Sequence, residues 1–278
     1  MTNLPWPGFG KLTQITAVDS GASAAKEVIG TSTANTKSAW IELRATLAED
    51  YPGFIVTFVT PDTSSGYLID LALGDAGSEF VILENFFVDA WRRNRIRGSS
   101  IFVPMKLPAG ARLAIRYQQS LSAATTWRVD VKGVSADTMS SIGQLRSGFS
   151  MGADLSTSQG TIVDPGAVGN TKGAFAELIA ATPSEAVGMF VCIGTWRDTL
   201  RVAGSCLIDI ALGGAGSERI VVPDLQGTWD TANEDMSPAP FYVPISIPVG
   251  SRVSARAQCP NTGYIHRVFT MVLVGMTQ

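Results

Sequence analysis

The sequence predicts an all-β chain built as two tandem jelly-roll-like antiparallel β-sandwiches. Three observations carry that prediction. The stretch Leu68-Ile69-Asp70-Leu71-Ala72-Leu73-Gly74-Asp75-Ala76-Gly77-Ser78-Glu79 returns as Leu207-Ile208-Asp209-Ile210-Ala211-Leu212-Gly213-Gly214-Ala215-Gly216-Ser217-Glu218, so one module is written twice. Apolar and polar residues alternate in short segments between turn residues, with almost no helical period. The 278 residues include 28 glycines, and only 16% are charged, against about 25% in an ordinary soluble domain.

The repeat extends both ways. Asn35-Thr36-Lys37 and Glu42 match Asn170-Thr171-Lys172 and Glu177. Phe102-Val103-Pro104 through Gly110-Ala111-Arg112 matches Tyr242-Val243-Pro244 through Gly250-Ser251-Arg252, and Arg116 and Gln118 match Arg256 and Gln258. The division this gives is an arm over 1–9, a first sandwich over 10–135, a connector over 136–150 and a second sandwich over 151–278.

Each element follows from local pattern. Two prolines flank Trp6 and disfavour helix in the arm; Trp6 and Phe9 are candidates to dock on a neighbouring subunit. Leu12 to Ala17 alternates weakly as a first strand, and residues 19–36, small and polar, read as a loop or irregular edge. Ile41, Leu43, Ala45 and Leu47 share one face of a strand. Pro52-Gly53 turns the chain into Phe54–Val59, rich enough in β formers for a central strand. In the repeated stretch Ile69, Leu71 and Leu73 share one face; Leu68, Asp70 and Ala72 share the other. Phe80 onward is another strand, Pro104 and Pro108 restrict theirs to an edge, and Leu113–Tyr117 and Trp127–Lys132 alternate cleanly. A short helix is expected at 135–147, and a longer hairpin in the second copy near Trp196-Arg197-Asp198.

The candidate functional residues point away from catalysis. His266 is the one histidine, and no Cys-x-x-Cys pair, phosphate loop or nucleophile elbow occurs, so neither catalytic nor metal residues nor a cofactor are expected. Cys192, Cys206 and Cys259 all lie in the second copy, which argues for reduced thiols and against a shared disulfide framework. Asp70 and Asp209 are expected in structural ion pairs with Arg112 or Arg116 and with Arg252 or Arg256, because a half-buried charge needs a partner. Glu79 and Glu218, after Gly-Ser turns, are expected to satisfy loop amides.

One loop differs in sign between the copies. The first has Trp91 followed by Arg92, Arg93, Arg95 and Arg97; the second has Trp229 followed by Asp230, Glu234 and Asp235. Complementary loops of this kind set register between subunits, which makes these residues candidate contacts in a homo-oligomer. A net charge of -3 gives no overall case for nucleic acid, and no apolar run reaches the roughly 18 residues of a membrane span. The first residues lack the basic-then-apolar pattern of a secretory signal.

With the Phe/Tyr-Val-Pro…Gly-x-Arg segments, the Leu-Ile-Asp-x-Ala-Leu-Gly-x-Ala-Gly-Ser-Glu motif resembles modules of tailed-bacteriophage virion structural proteins. The resemblance covers most of both copies. It implies a non-enzymatic virion protein of the tail, fibre or collar region, made in the host cytoplasm, with itself and other virion proteins as partners. Capsid decoration and adsorption to host-surface glycans are the alternatives. For the glycan reading Trp91, Trp127, Trp196 and Trp229 are the candidate stacking residues.

Overall fold

A computed structural model of the chain describes residues 12–16, 25–59, 66–89, 97–134, 145–195, 204–229, 236–237, 240–263 and 267–278. Among these residues all regular structure is β. The first sandwich contains β1 (Leu12–Gln14), β2 (Lys26–Ile29), β3 (Ile41–Arg44), β4 (Gly53–Val59), β5 (Gly66–Leu73), β6 (Phe80–Asp89), β7 (Arg97–Val103), β8 (Leu113–Gln119) and β9 (Thr126–Val134). Its pairing is that of a wound hairpin. β5 pairs with β6 at the tip, then β4 with β7, β3 with β8 and β2 with β9, all antiparallel. Winding this ribbon also brings β4 beside β9 and β5 beside β8. The result is two facing sheets, β2-β9-β4-β7 and β3-β8-β5-β6, with β1 adding to β9: a jelly roll.

The second sandwich repeats the scheme. It contains β10 (Ser147–Met151), β11 (Ala153–Asp154), β12 (Gln159–Val163), β13 (Ala176–Ile179), β14 (Gly188–Thr195), β15 (Gly204–Leu212), β16 (Arg219–Trp229), β17 (Met236–Ser237), β18 (Phe241–Val243), β19 (Val253–Gln258) and β20 (Phe269–Thr277). β15 pairs with β16, β14 with β18, β13 with β19 and β12 with β20. The counterpart of β7 is divided here: β17 stays on β16, and β18 crosses to β14.

Alternation explains the cores. Phe54, Val56 and Phe58 of β4 face Tyr67, Ile69 and Leu71 of β5, all buried. Trp127 anchors the first core, with its ring centroid 4.2 Å from Tyr67, 6.1 Å from Phe58 and 5.8 Å from Tyr117. The second copy fills the same places with smaller residues: Cys206 stands for Tyr67 and Phe269 for Trp127. Its three cysteines are free and buried, and burial pushes the Cys192 and Cys206 thiols up to about 12.

Two expectations need correction. Within the segment read as a loop or irregular edge, Lys26–Ile29 is the edge strand β2, and a run of four residues after a small polar segment is too short to show a period. The expected helix does not extend to 147, because Ser147 opens β10 and pairs with Thr277; residues 135–144 lie outside those described. The second sandwich therefore takes up 147–150 and begins ahead of the boundary at 151 that the sequence predicts.

Candidate functional site

The residues shared by both copies build two polar nodes on each sandwich. In the first node Asp70, 1% exposed, accepts hydrogen bonds from Lys37 Nζ at 2.8 Å, Arg116 Nε at 2.8 Å and the backbone amide of Asn85 at 2.8 Å. That amide is free to donate because β6 bulges there, with Asn85 in the left-handed region at φ 46°. The Arg116 guanidinium lies over Trp40, 4.3 Å from its ring centroid. The second copy rebuilds each part. Asp209 accepts from Lys172 at 2.7 Å, Arg256 at 2.9 Å and the Asp224 amide at 3.0 Å, with Asp224 at φ 48° and Arg256 over Phe175 at 4.6 Å.

The second node explains the rest of the repeated motif. Arg112 donates to Glu42 at 2.9 Å, Glu79 at 3.1 Å and the Gly74 carbonyl at 3.3 Å. Arg252 does the same to Glu177, Glu218 and Gly213 at 2.7, 3.2 and 3.1 Å. Glu79 and Glu218 also accept the amides of Gly77 and Gly216. Gly74 and Gly213, at φ 108° and 113°, make the turn that presents those carbonyls, a conformation a side chain would strain. Asp70 thus pairs with Arg116 and not Arg112, and Asp209 with Arg256 and not Arg252. The lysines Lys37 and Lys172, which the sequence reading did not assign, complete both sites.

These bonds act on protonation. Burial opposes ionisation of Asp209, yet the Asp224 amide, Lys172 and Arg256 outweigh it and hold the carboxyl below its ordinary 3.8. Glu218, held by its own amide, Arg252 and the Gly216 amide, lies below its ordinary 4.5. Groups with depressed folded values stabilise fully above the unfolded values and lose that contribution as pH falls through the folded ones. The melting temperature followed by near-ultraviolet circular dichroism is therefore expected to hold steady above pH 4.5 and to fall below 3.8. A decline that starts well above pH 4.5 would contradict this assignment.

The core of the first sandwich extends into a contact with the second. Phe190 and Cys192 of β14 and Val272, Val274 and Met276 of β20 point away from their own core and join that of the first sandwich. Phe86 meets Phe190 edge-on with centroids 5.6 Å apart. β6 is consequently buried on both faces from Phe86 to Asp89. At Gly194 the approach is close: a Cβ there would stand 2.4 Å from the Phe87 ring. Polar bonds fix the register. Asn85 Nδ2 donates to Ser150 Oγ at 3.0 Å, and Gln118 Nε2 donates to the Leu155 carbonyl at 2.9 Å and to Ser158 Oγ at 3.1 Å. Ser158 Oγ in turn donates to Asn35 Oδ1 at 2.8 Å.

The first sandwich has the same sheet face with different residues. The positions of Val272 and Val274 are Asp130 and Lys132, which pair with each other at 2.8 Å, and that of Thr270 is Arg128, paired with Glu27. One copy of this face is therefore charged, the other apolar and covered.

Of the remaining candidates, Trp6, Phe9, Arg92, Arg93, Arg95, Asp230, Glu234, Asp235, Trp91, Trp196 and His266 lie outside the described residues, as does the hairpin expected near Trp196. Arg97 is placed by its backbone alone, opposite Val59 in β7. Trp127 and Trp229 are buried, at 1% and 4% exposure, so neither can stack a sugar as the glycan reading required. Among the described residues no three His, Cys, Asp or Glu side chains converge as a metal site would need, and no helix is long and apolar enough to cross a membrane.

No protein-family model matches the chain, and no curated protein matches it in sequence. Among solved structures, PNGF-II is similar at 9% identity with a TM-score of 0.35, over 95% of this chain and 65% of its own. The chain thus spans about 65% of that protein's length. The tandem CBM22-1–CBM22-2 domain of Paenibacillus barcinonensis Xyn10C is similar at 9% identity and TM-score 0.30, over 97% of this chain and 98% of its own. A chain of the broad bean stain virus particle is similar at 9% identity and TM-score 0.38, over 96% and 92%.

Proposed function

We propose that this chain is a non-enzymatic structural protein of a bacteriophage virion, acting in the tail, fibre or collar region as a rigid two-sandwich building unit. One observation carries the reading. The ionised groups common to both nodes, Lys37, Glu42, Asp70, Glu79, Arg112 and Arg116 with their counterparts, bond one another and the backbone turns, which leaves them holding sheets. A duplicated enzyme or receptor would keep reactive or recognition groups aimed at solvent in both copies. The resemblance of the repeated motif to phage virion modules supplies the setting, and contacts with copies of itself and with other virion proteins supply the role. Quantitative mass spectrometry of purified particles tests it. A fixed low copy number set by the rotational symmetry of a tail is expected. Hundreds of copies would move the chain to head decoration, and absence from the particle would end the reading.

A further inference from the structure

Two of the three free cysteines stand opposite each other on neighbouring strands. β15 pairs with β19 so that Leu207 faces Gln258, and the next step of the same register brings Cys206 opposite Cys259. The register holds beyond that step, since a Cβ on Gly204 would stand 2.7 Å from the Asn261 side-chain nitrogen. Residues directly opposite point to one side of a sheet, and both cysteines are buried in the core of the second sandwich, at 2% and 3% exposure. Cys259 turns its carbonyl away from β15, to the Asn170 amide at 2.9 Å. The two therefore form a non-hydrogen-bonded pair, with Cα atoms about 4.5 Å apart and side chains close. A disulfide spans about 4.4–6.8 Å between Cα atoms, so the backbone already suits one.

The first sandwich shows what the pair replaces. Tyr67 and Gln119 hold these places there, directly opposite in β5 and β8. The Tyr67 ring packs against Trp127 and Tyr117, and the Gln119 side chain ties the end of β8 to the following loop through the Ala123 carbonyl and the Thr125 hydroxyl. The second sandwich has Phe269 for Trp127 and Ala257 for Tyr117, so this end of its core has lost both the aromatic cluster and the amide. A thiol supplies one weak donor, and Cys259 spends it on the Asn261 carbonyl at 3.1 Å. Cys192 takes no part, because it points into the contact with the first sandwich.

We infer that Cys206 and Cys259 are a redox site: they close a reversible disulfide that joins the start of β15 to the end of β19 when the chain meets a small-molecule disulfide. The Cys259 thiolate attacks one sulfur of the reagent, the reagent's own S–S bond breaks, and one thiol leaves. The Cys206 thiolate then attacks the Cys259 sulfur and the second thiol leaves. The cysteines lose two electrons and two protons, and the reagent gains both. Cys259 is the entry point. Burial pushes its thiol up, but the bond to Asn261 and the charge of Arg267 work against that, and the exposed Pro260 follows it directly. Burial pushes the Cys206 thiol up to about 12. A reducing cytoplasm keeps the pair as thiols, and release into oxidising surroundings closes it. That timing rests on the virion reading; the bond itself does not.

The test uses the full chain, reduced, freed of reductant and incubated with glutathione disulfide in urea well below the unfolding transition. Alkylation after complete unfolding should then label Cys192 alone, where the reduced chain takes up label at all its cysteines, and peptide mapping should join Cys206 to Cys259. The midpoint of thermal unfolding should rise by about 10 °C, as closing the long loop from 206 to 259 predicts, and should fall back with dithiothreitol. Cys192→Ala should keep the bond and the shift, and Cys206→Ala should lose both. Full labelling after oxidation, a link through Cys192, or a midpoint that oxidation leaves unchanged or lowers would overturn the inference. The wild-type peptide map decides the point even where a variant fails to fold. Presence of the chain in purified particles bears on the virion role alone, so the two readings fail separately.

Discussion

Val274→Lys is expected to separate the two sandwiches. Val274 is fully buried between them, on the face of β20 that packs against the first sandwich. The substitution writes into the second copy what the first has at Lys132. There the ammonium is partly exposed and lies 2.8 Å from Asp130; here the counterpart of Asp130 is Val272, which offers no charge. An unpaired buried charge costs about 3–5 kcal/mol, a large share of a domain's net stability, and opening the contact relieves it. Calorimetry should then show two transitions, and small-angle scattering a larger radius of gyration. Val272→Asp with Val274→Lys supplies the missing partner. It should restore the stability of the second sandwich without restoring the contact, since the apolar face is still lost. A single transition close to that of the wild type in Val274→Lys would contradict the account.

Asp70→Ala is expected to be nearly as damaging by another route. It removes the acceptor for Lys37, Arg116 and the Asn85 amide together. The two cations are partly exposed and recover some hydration, but the amide belongs to a residue that is 6% exposed at the contact between sandwiches. A loss of about 3 kcal/mol is expected from chemical denaturation. Asp209→Ala should cost less, because Asp224 in the same place is open to water and its side chain gives Lys172 a second carboxylate at 2.8 Å. Equal losses in the two copies would mean that burial by the other sandwich does not strengthen the first node.

The sequence made much of this fold legible, and physical reasons mark where it stopped. β3 and β9 show their period because one face is core and the other polar, whereas β4 shows itself by its β-forming residues and β5 by the repeated motif. The choice of Arg116 over Arg112 was not readable from a period, since both fall on the same face of the strand. Register decides it: Asp70 lies directly opposite Arg116, as Asp209 does opposite Arg256. Lys37 and Lys172 reach the nodes from the loops before β3 and β13, which no periodicity can place. The contact between the sandwiches did leave a signal. Trp127–Lys132 alternates, whereas its counterpart Phe269–Val274 is apolar at almost every position, the pattern of a strand buried on both faces.

That the two jelly rolls form one body through an apolar sheet face can be tested with the chain's own cysteines. Cys192 points into the contact with the first sandwich, while Cys206 and Cys259 lie in the core of the second. Thiol labelling of the native chain in low denaturant reports which opens first. If the sandwiches are one body, Cys192 should react no sooner than Cys206, at the rate of global unfolding. Cys192 labelling readily while Cys206 and Cys259 stay protected would mean that the sandwiches part and swing freely.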